Sequence, residues 1–241
     1  MNSFRVLLSL LVLTLTLSSS ARAVDKDYVK EGVVDILSSY KDCNTFGTGF
    51  YVADNLVVTA AHVMYSPCGD YEAFLVDIKS GKFAMGLPYM MNKQKDYGLI
   101  ILSGSSSMKN KSRLNRFSSK YAVGDNVYIP VIDPSTLSIE IRESVVQLRV
   151  QPVTLVDQLL GFHLDTIQIK GALPQGASGS PVFNDKGEII GIVVACDNSS
   201  TFVKPIKHIL KTLLQDKVPV KTVAYHYPRK RCKLDTANTE G

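Results

Sequence analysis

The feature that most limits the possible folds of this chain is a series of short apolar segments separated by turn residues. Two of them, 50–52 and 56–58, flank the turn sequence Ala-Asp-Asn and predict a β-hairpin. Further strands are predicted at 73–78, 97–102, 127–132, 139–150, 162–169, 188–195 and 201–204. Strands this numerous, with few helical patterns between them, indicate an all-β sandwich or barrels.

One helix is predicted near the C-terminus. Apolar residues at 206, 209, 210, 213 and 214 form one helical face directly after Pro205, so a helix is expected over 206–215. Residues 109–120 are polar and unpatterned, and are the expected linker between two β units. Because 45% of the residues are hydrophobic and 20% charged, the chain can bury an ordinary globular core.

Residues 1–23 have the pattern of a secretory signal peptide. Arg5 is followed by an apolar run and then by Ala-Arg-Ala ending at Ala23, which predicts cleavage after Ala23. The alternative is an uncleaved membrane anchor, for which the run is short. We therefore expect a secreted or periplasmic protein with no stable membrane insertion after cleavage.

The charge and the cysteines exclude some classes of function. The net charge of +5 is partly concentrated at 229–233, within a basic tail of residues 216–241. Such a short cluster is typical of a solvated tail, so no nucleic-acid partner is expected.

The four cysteines favour disulfides, with three possible pairings, and their spacing does not favour a metal site. They are Cys43, Cys68, Cys196 and Cys232. No cofactor is expected.

Three segments carry residues suited to nucleophilic hydrolysis. His62 ends an apolar strand in the sequence TAAH, and Asp96 directly precedes the apolar strand YGLIIL. The glycine-rich loop QGASGSP, residues 175–181, contains Ser178 and Ser180. A serine nucleophile needs a base to accept its proton and a carboxylate to orient that base. His62 and Asp96 could supply both.

In this order, TAAH, DYGLIIL and GASGSP resemble the motifs of the chymotrypsin-fold (trypsin-like) serine peptidases. GTGF at 47–50, VGDNV at 123–127 and GEIIGIV at 187–193 are similar to HtrA/Deg-type protease domains without a PDZ domain. The resemblance extends over most of 43–215. It implies an all-β protease domain over 24–215, built from two six-stranded Greek-key β-barrels, about 24–115 and 116–215, with the active site in the cleft between them and a C-terminal helix.

The resemblance also implies roles for the site residues. Ser178 falls on the nucleophile, His62 on the general base and Asp96 on the residue that orients it. The backbone N–H groups of Gly176 and Ser178 would form the oxyanion hole, and Ser180 would pack behind the nucleophile. Ala177 stands where trypsin-like zymogens carry an aspartate, so activation by a new N-terminus is not expected. The implied function is a secreted serine endopeptidase acting on protein or peptide substrates.

A specificity pocket and two disulfides follow from the same resemblance. The pocket would be lined by Ala172, Leu173, Val194, Ala195 and Cys196. Without an acidic residue it favours small or medium apolar side chains before the scissile bond, and Lys170 or His163 could instead favour an acidic one. Cys43 would pair with Cys68, which leaves Cys196 for Cys232. A free Cys196 is the alternative.

Two other classes of function remain open from the sequence. One is a non-catalytic binding protein on a protease scaffold. The other is an esterase or acyl transferase that uses the same triad, although the His-Asp-Ser order differs from that of the α/β-hydrolases.

Overall fold

The computed structural model describes residues 25–40, 43–66, 69–71, 73–79, 82–103, 114–133, 136, 138–150 and 166–215. The predicted signal segment, the basic tail and the first residues of the predicted strand 162–169 lie outside these residues. Within the described part of the chain, no helix is long and apolar enough to cross a membrane.

The first barrel follows a short helix, α1 (Lys26–Gly32), whose N-terminus is capped by the Asp25 carboxylate. Six antiparallel strands close this barrel in the order β1-β2-β3-β8-β7-β6. They are β1 (Val33–Tyr40), β2 (Cys43–Ala53), β3 (Leu56–Thr59), β6 (Phe74–Lys79), β7 (Lys82–Asn92) and β8 (Tyr97–Leu102). Two short strands, β4 (Tyr65–Ser66) and β5 (Gly69–Asp70), pair with each other outside the barrel.

The second barrel is closed in the order β10-β11-β14-β13-β12-β9. Its strands are β9 (Asn126–Ile132), β10 (Ile139–Val150), β11 (Thr166–Lys170), β12 (Pro181–Asn184), β13 (Ile189–Cys196) and β14 (Ser200–Pro205). Numbered from the first strand of each barrel, both have the order 1-2-3-6-5-4. The predicted all-β fold of two six-stranded barrels is therefore confirmed.

Apolar packing joins the two barrels. The second barrel encloses its own core, with Val127, Ile167 and Val203 among the buried residues. The core of the first barrel is continuous with second-barrel residues such as Phe183 and Phe202. Burial of this apolar surface stabilises the contact between the two barrels.

Of the linker expected at 109–120, the structure describes residues 114–120, and Leu114 and Phe117 attach these residues to the barrels. Leu114 is fully buried, and its N–H donates to the carbonyl oxygen of Tyr51 at 2.8 Å. Phe117 forms a β-bridge with Ile189 in the second barrel. Leu114 and Phe117 are single apolar side chains in a polar stretch, so they produce no periodic pattern in the sequence.

The predicted C-terminal helix is present as α2 (Lys207–Gln215), one residue later than expected. Ile206 and Ile209 are buried in the shared core, as the apolar face predicts. The side chains of the last four residues of α2 lie outside the described part of the structure.

Candidate active site

His62 is placed at the edge of the cleft by the end of β3. The chain leaves β3 at Thr59 and forms a single 3-10 turn over Ala61–Val63. Ala60 and Ala61 are fully buried, so only small side chains fit beside this turn. The His62 side chain keeps 24% of its surface exposed. Its ring therefore reaches solvent at the cleft while its backbone is fixed by the core.

Asp96 is held in the turn between β7 and β8. It is fully buried and has a positive φ of 50°, a conformation that aspartate tolerates better than most residues. Its Oδ1 accepts the backbone N–H of His62 at 2.9 Å, and its Oδ2 lies 2.8 Å from His62 Nδ1. A carboxylate only accepts hydrogen bonds, so Nδ1 carries a proton, and in the neutral imidazole Nε2 is then the acceptor.

The glycine-rich loop before β12 depends on backbone conformations that favour glycine. Gly176 has φ +92° and Gly179 has φ +89°. A Cβ atom on Gly179 would lie 2.0 Å from the Thr48 carbonyl oxygen and 3.0 Å from the Ala60 backbone nitrogen. The loop is therefore packed against the first barrel at Thr48 and at Ala60, which precedes His62 by two residues.

Thr48 of β2 forms the direct connection between the first barrel and this loop. Its N–H donates to the Ser178 carbonyl oxygen at 2.8 Å, and its Oγ1 donates to the Gly176 carbonyl oxygen at 2.7 Å. Thr59 Oγ1 in turn donates to the Thr48 carbonyl oxygen at 2.7 Å. These bonds are buried and fix the position of the loop. Our reading of the sequence missed this function of Thr48, although its position between two glycines of β2 was a possible signal.

Two backbone donors in the loop remain available. Among the described residues, the N–H groups of Gly176 and Ser178 donate to no acceptor, whereas Ala177, Gly179 and Ser180 donate to backbone carbonyls. Gly176 is buried, and its carbonyl accepts the Thr48 hydroxyl, which holds the Gly176–Ala177 peptide between the two donors in place. Two unpaired N–H groups on either side of Ala177 could bind an anionic oxygen at the cleft.

The residues expected to form the specificity pocket come partly together. Leu173 and Cys196 are in contact, with Cys196 Sγ 3.6 Å from the Leu173 carbonyl oxygen. Ala172 is exposed and Ala195 is partly exposed, whereas Val194 is 1% exposed and packs in the shared core. Lys170 is exposed, and His163 lies outside the described residues.

The structure tests the two expected cysteine pairings only in part. Cys196 is an exposed free cysteine, and its expected partner Cys232 lies outside the described residues, so that pairing stays a prediction. The Cys196 sulfur is directed at the Leu173 carbonyl within the same barrel. Cys43 is disulfide-bonded, and its expected partner Cys68 lies outside the described residues, so that pairing stays a prediction. In the described part of the chain, no group of three potential ligands could hold a metal ion.

Two closed six-stranded antiparallel barrels that face a shared cleft define the chymotrypsin class of serine peptidases. The family comparison makes the assignment more specific. Residues 47–192, more than half of the chain, match the Trypsin-like peptidase domain, and the chain therefore belongs to this family. It is a serine endopeptidase by family, and it acts on protein or peptide substrates. No curated protein matches the chain.

Solved structures of bacterial proteases share the fold. The active form of the Rv3671c protease from M. tuberculosis has a TM-score of 0.64 and 19% identity, over 78% of this chain and 82% of that one. Its inactive form has a TM-score of 0.62 and 18% identity, over 80% and 93%. The serine endoprotease from Yersinia pestis has a TM-score of 0.59 and 17% identity, over 79% and 64%. The predicted resemblance to chymotrypsin-fold and HtrA-type proteases is confirmed.

Proposed function

We propose that this chain is an exported serine endopeptidase in which Ser178 is the nucleophile, His62 the general base and Asp96 the residue that orients it. The observation that carries the proposal is the pair of hydrogen bonds from His62 to the buried Asp96 carboxylate, at 2.9 and 2.8 Å. A histidine held through Nδ1 presents a basic Nε2 to the cleft, which is the arrangement that serine activation requires.

The reaction would proceed by two acyl transfers. Ser178 Oγ attacks the carbonyl carbon of the scissile bond while its proton moves to His62 Nε2. The developing oxyanion accepts the N–H groups of Gly176 and Ser178. Collapse breaks the C–N bond, and His62 returns the proton to the leaving amine. Water then attacks the acyl-enzyme by the same route in reverse, which releases the acid and regenerates Ser178.

We propose a preference for small or medium apolar side chains before the scissile bond. Ala172, Leu173 and Ala195 carry no charge, and the nearby Asp197 carboxylate already accepts the N–H groups of Ser199 and Ser200 at 2.8 and 2.7 Å. These backbone N–H groups, of which that of Ser199 has the larger effect, lower the pKa of the Asp197 carboxyl. A basic substrate side chain would find no ion-pair partner among Ala172, Leu173 and Ala195.

We also propose that the loop needs no newly cut N-terminus for activity. Ala177 is 2% exposed and packs among apolar residues of the second barrel, where a carboxylate would require a positive partner. Purified chains that begin at several positions between 20 and 26 should therefore have equal specific activity. Activity in a single one of these chains would contradict the proposal. Edman sequencing of the exported protein would test the cleavage after Ala23.

Labelling by a fluorophosphonate probe tests the nucleophile directly. The wild-type chain should be labelled at neutral pH, and Ser178→Ala should abolish labelling. Ser180→Ala is the matched control, because Ser180 is fully buried and its hydroxyl has no hydrogen-bond partner among the described residues. An unlabelled wild-type chain would overturn the catalytic proposal in favour of a binding protein. Labelling lost only in Ser180→Ala would overturn the choice of serine.

Hydrolysis of an internally quenched peptide and of a matched ester separates the peptidase from an esterase. We expect both substrates to be cleaved by the wild-type chain and neither by Ser178→Ala. If the ester is cleaved but no peptide in a library is, the result would favour an acyl-transfer enzyme that does not act on amides.

A further inference from the structure

The outer face of the first barrel carries four apolar side chains in a row. Leu37 is the register partner of both Phe46 and Leu75, and Leu75 is the register partner of Met85. Register partners in neighbouring strands lie on the same face of the sheet, so these residues form one line across β2, β1, β6 and β7. We call this line the apolar stripe. With strands about 4.8 Å apart, it is about 14 Å long.

The apolar stripe is exposed to solvent. Leu75 is 54% exposed and Met85 is 55% exposed, while Leu37 and Phe46 are partly exposed. Their neighbours along the strands, Ile36 and Val76, are fully buried inside the barrel. The stripe therefore contributes nothing to the barrel's interior, and leaving its surface in water is unfavourable unless something covers it.

All four stripe residues line a groove with a volume of about 650 Å³. Gln175 also lines it, and no charged side chain is among its described lining residues. The nearby Ser38 hydroxyl already donates to the Ala73 carbonyl oxygen at 3.0 Å. A groove of this volume and polarity suits an uncharged, apolar chain segment rather than an ionic ligand.

The stripe begins at the proposed oxyanion hole. A Cβ atom on Gly176 would lie 2.2 Å from Cε1 of Phe46, so this ring packs directly on the loop. The proposed specificity pocket lies on the second barrel, around Leu173 and Cys196. The substrate residues before the scissile bond would lie on that side of Ser178. The residues after the scissile bond would then extend along the first barrel, where the stripe begins.

We propose that the apolar stripe binds the residues that follow the scissile bond of a polypeptide substrate. The inference rests on the proposed function and deepens it. An extended segment rises about 3.4 Å per residue and turns alternate side chains to the same face, so a stripe of this length accommodates about four residues. The favoured substrate carries apolar side chains at the second and fourth positions after the scissile bond. Four side chains are too few for a stable dimer, whose interface takes about 20–30 residues a side.

The test uses two internally quenched peptides of equal length that differ only at those two positions, with Leu in one and Ser in the other. The measured quantity is the ratio of their kcat/KM values. For the wild-type chain the ratio should be about ten or more, since partial burial of two leucines is sufficient for a tenfold effect. In the double variant Leu75→Asn/Met85→Gln it should fall close to one.

Leu148→Asn is the matched control, because Leu148 is 52% exposed on the outer face of the second barrel. It should keep the wild-type ratio. A wild-type ratio near one, or a double variant that keeps the wild-type ratio, would overturn the proposal. A double variant that changes the molecular mass in solution but not the ratio would also overturn it, and would assign the stripe to a second copy of the chain.

Binding separates a failure of this inference from a failure of the proposed function. The same two peptides, labelled with a fluorophore, are titrated into Ser178→Ala chains with and without the stripe substitutions. Tenfold tighter binding of the Leu peptide to the intact stripe supports the inference even if fluorophosphonate labelling fails. Equal binding of both peptides contradicts it even if labelling succeeds.

Discussion

The two barrels share one strand order but hold their candidate catalytic residues in different ways. In the first barrel, His62 and Asp96 are fixed by burial and by two hydrogen bonds to a single carboxylate. In the second barrel, Ser178 lies on an irregular loop whose shape depends on glycines at positive φ. Among the described residues, five glycines at positive φ lie at or after position 124, and one, Gly69, lies in the first half of the chain.

The candidate catalytic residues of the two barrels should therefore respond differently to mutation. The histidine–aspartate pair is completed within the first barrel, so it should fail only when its own atoms change. The loop takes two of its hydrogen bonds from Thr48 in the other barrel, so it should respond to changes at a distance. The following predictions test this division, from the largest expected effect to the smallest.

Asp96→Asn should lower kcat by about 10⁴-fold without unfolding the first barrel. The amide can donate to His62 Nδ1, which favours the tautomer with a protonated Nε2 that cannot accept the serine proton. Peptide hydrolysis measures the loss, and circular dichroism measures the fold. Asp125→Asn is the control, since that carboxylate accepts the Ala122 N–H at 2.7 Å and has no histidine partner. A loss below tenfold would contradict the role of Asp96.

Gly176→Ala should lower kcat by about 10²–10³-fold by moving one oxyanion donor. Its φ of +92° disfavours a side chain, and the new Cβ would collide with Phe46. Gly171→Ala separates the two causes, because Gly171 has φ +86° and nothing within 4 Å of a Cβ. It should cost about 1–2 kcal/mol of unfolding free energy with little change in kcat.

Adding Phe46→Ala to Gly176→Ala removes the collision and leaves the backbone strain. The double variant should recover part of the lost kcat toward a substrate that ends one residue after the scissile bond. A double variant no faster than Gly176→Ala would show that strain alone disables the loop.

Thr48→Val should slow fluorophosphonate labelling about tenfold, because the Gly176 carbonyl loses its buried donor. Thr201→Val is the matched control: Thr201 Oγ1 donates to the Gly171 carbonyl at 2.7 Å, within the second barrel alone. Both variants should lose about 1–3 kcal/mol of stability by chemical denaturation. Equal labelling rates in the two variants would refute the dependence of the loop on the first barrel.

The smallest effect is expected at Asp197, in the turn between β13 and β14. The Ser199 and Ser200 N–H groups lower the pKa of this carboxyl below 3.8, so the charged form stabilises the fold above that pH. The contribution is lost as the pH falls through the lowered pKa. Asp197→Ala should therefore be slightly less stable than wild type at pH 7, and the difference should shrink as the pH falls through the lowered pKa, as followed by thermal unfolding.

The sequence predicted the strands that alternate or are uniformly apolar, and missed those that contain strand-breaking residues. β7 (Lys82–Asn92) includes Gly86 and Pro88. Gly86 is required because a Cβ would lie 2.5 Å from Ile100 Cγ2, and Pro88 adjoins a register shift. β1 (Val33–Tyr40) includes the buried Asp35 and Ser38. The residue type that fits at each of these positions depends on neighbours that are distant in sequence, so no local sequence pattern predicts these strands.

For the candidate site, the sequence indicated the reactive residue types but not the groups that hold them. His62, Asp96 and Ser178 occur in motifs whose order is informative. Thr48 is one of several polar residues in β2, and its partners in the loop lie far away in sequence. The geometry of Phe46 against Gly176 likewise depends on the packing of one barrel on the other. The sequence left a free Cys196 as an alternative to a disulfide. The contact of Cys196 with Leu173 depends on tertiary packing, which no local pattern predicts.

The hydrogen bond from Thr48 to Gly176 joins residues 128 positions apart. A ribosome adds about 5–20 residues each second, so His62 and Asp96 emerge several seconds before the loop that carries Ser178. On the proposed roles, a half-made chain has a base and no nucleophile. Peptide cleavage therefore arises only after the second barrel has been synthesised and has folded onto the first.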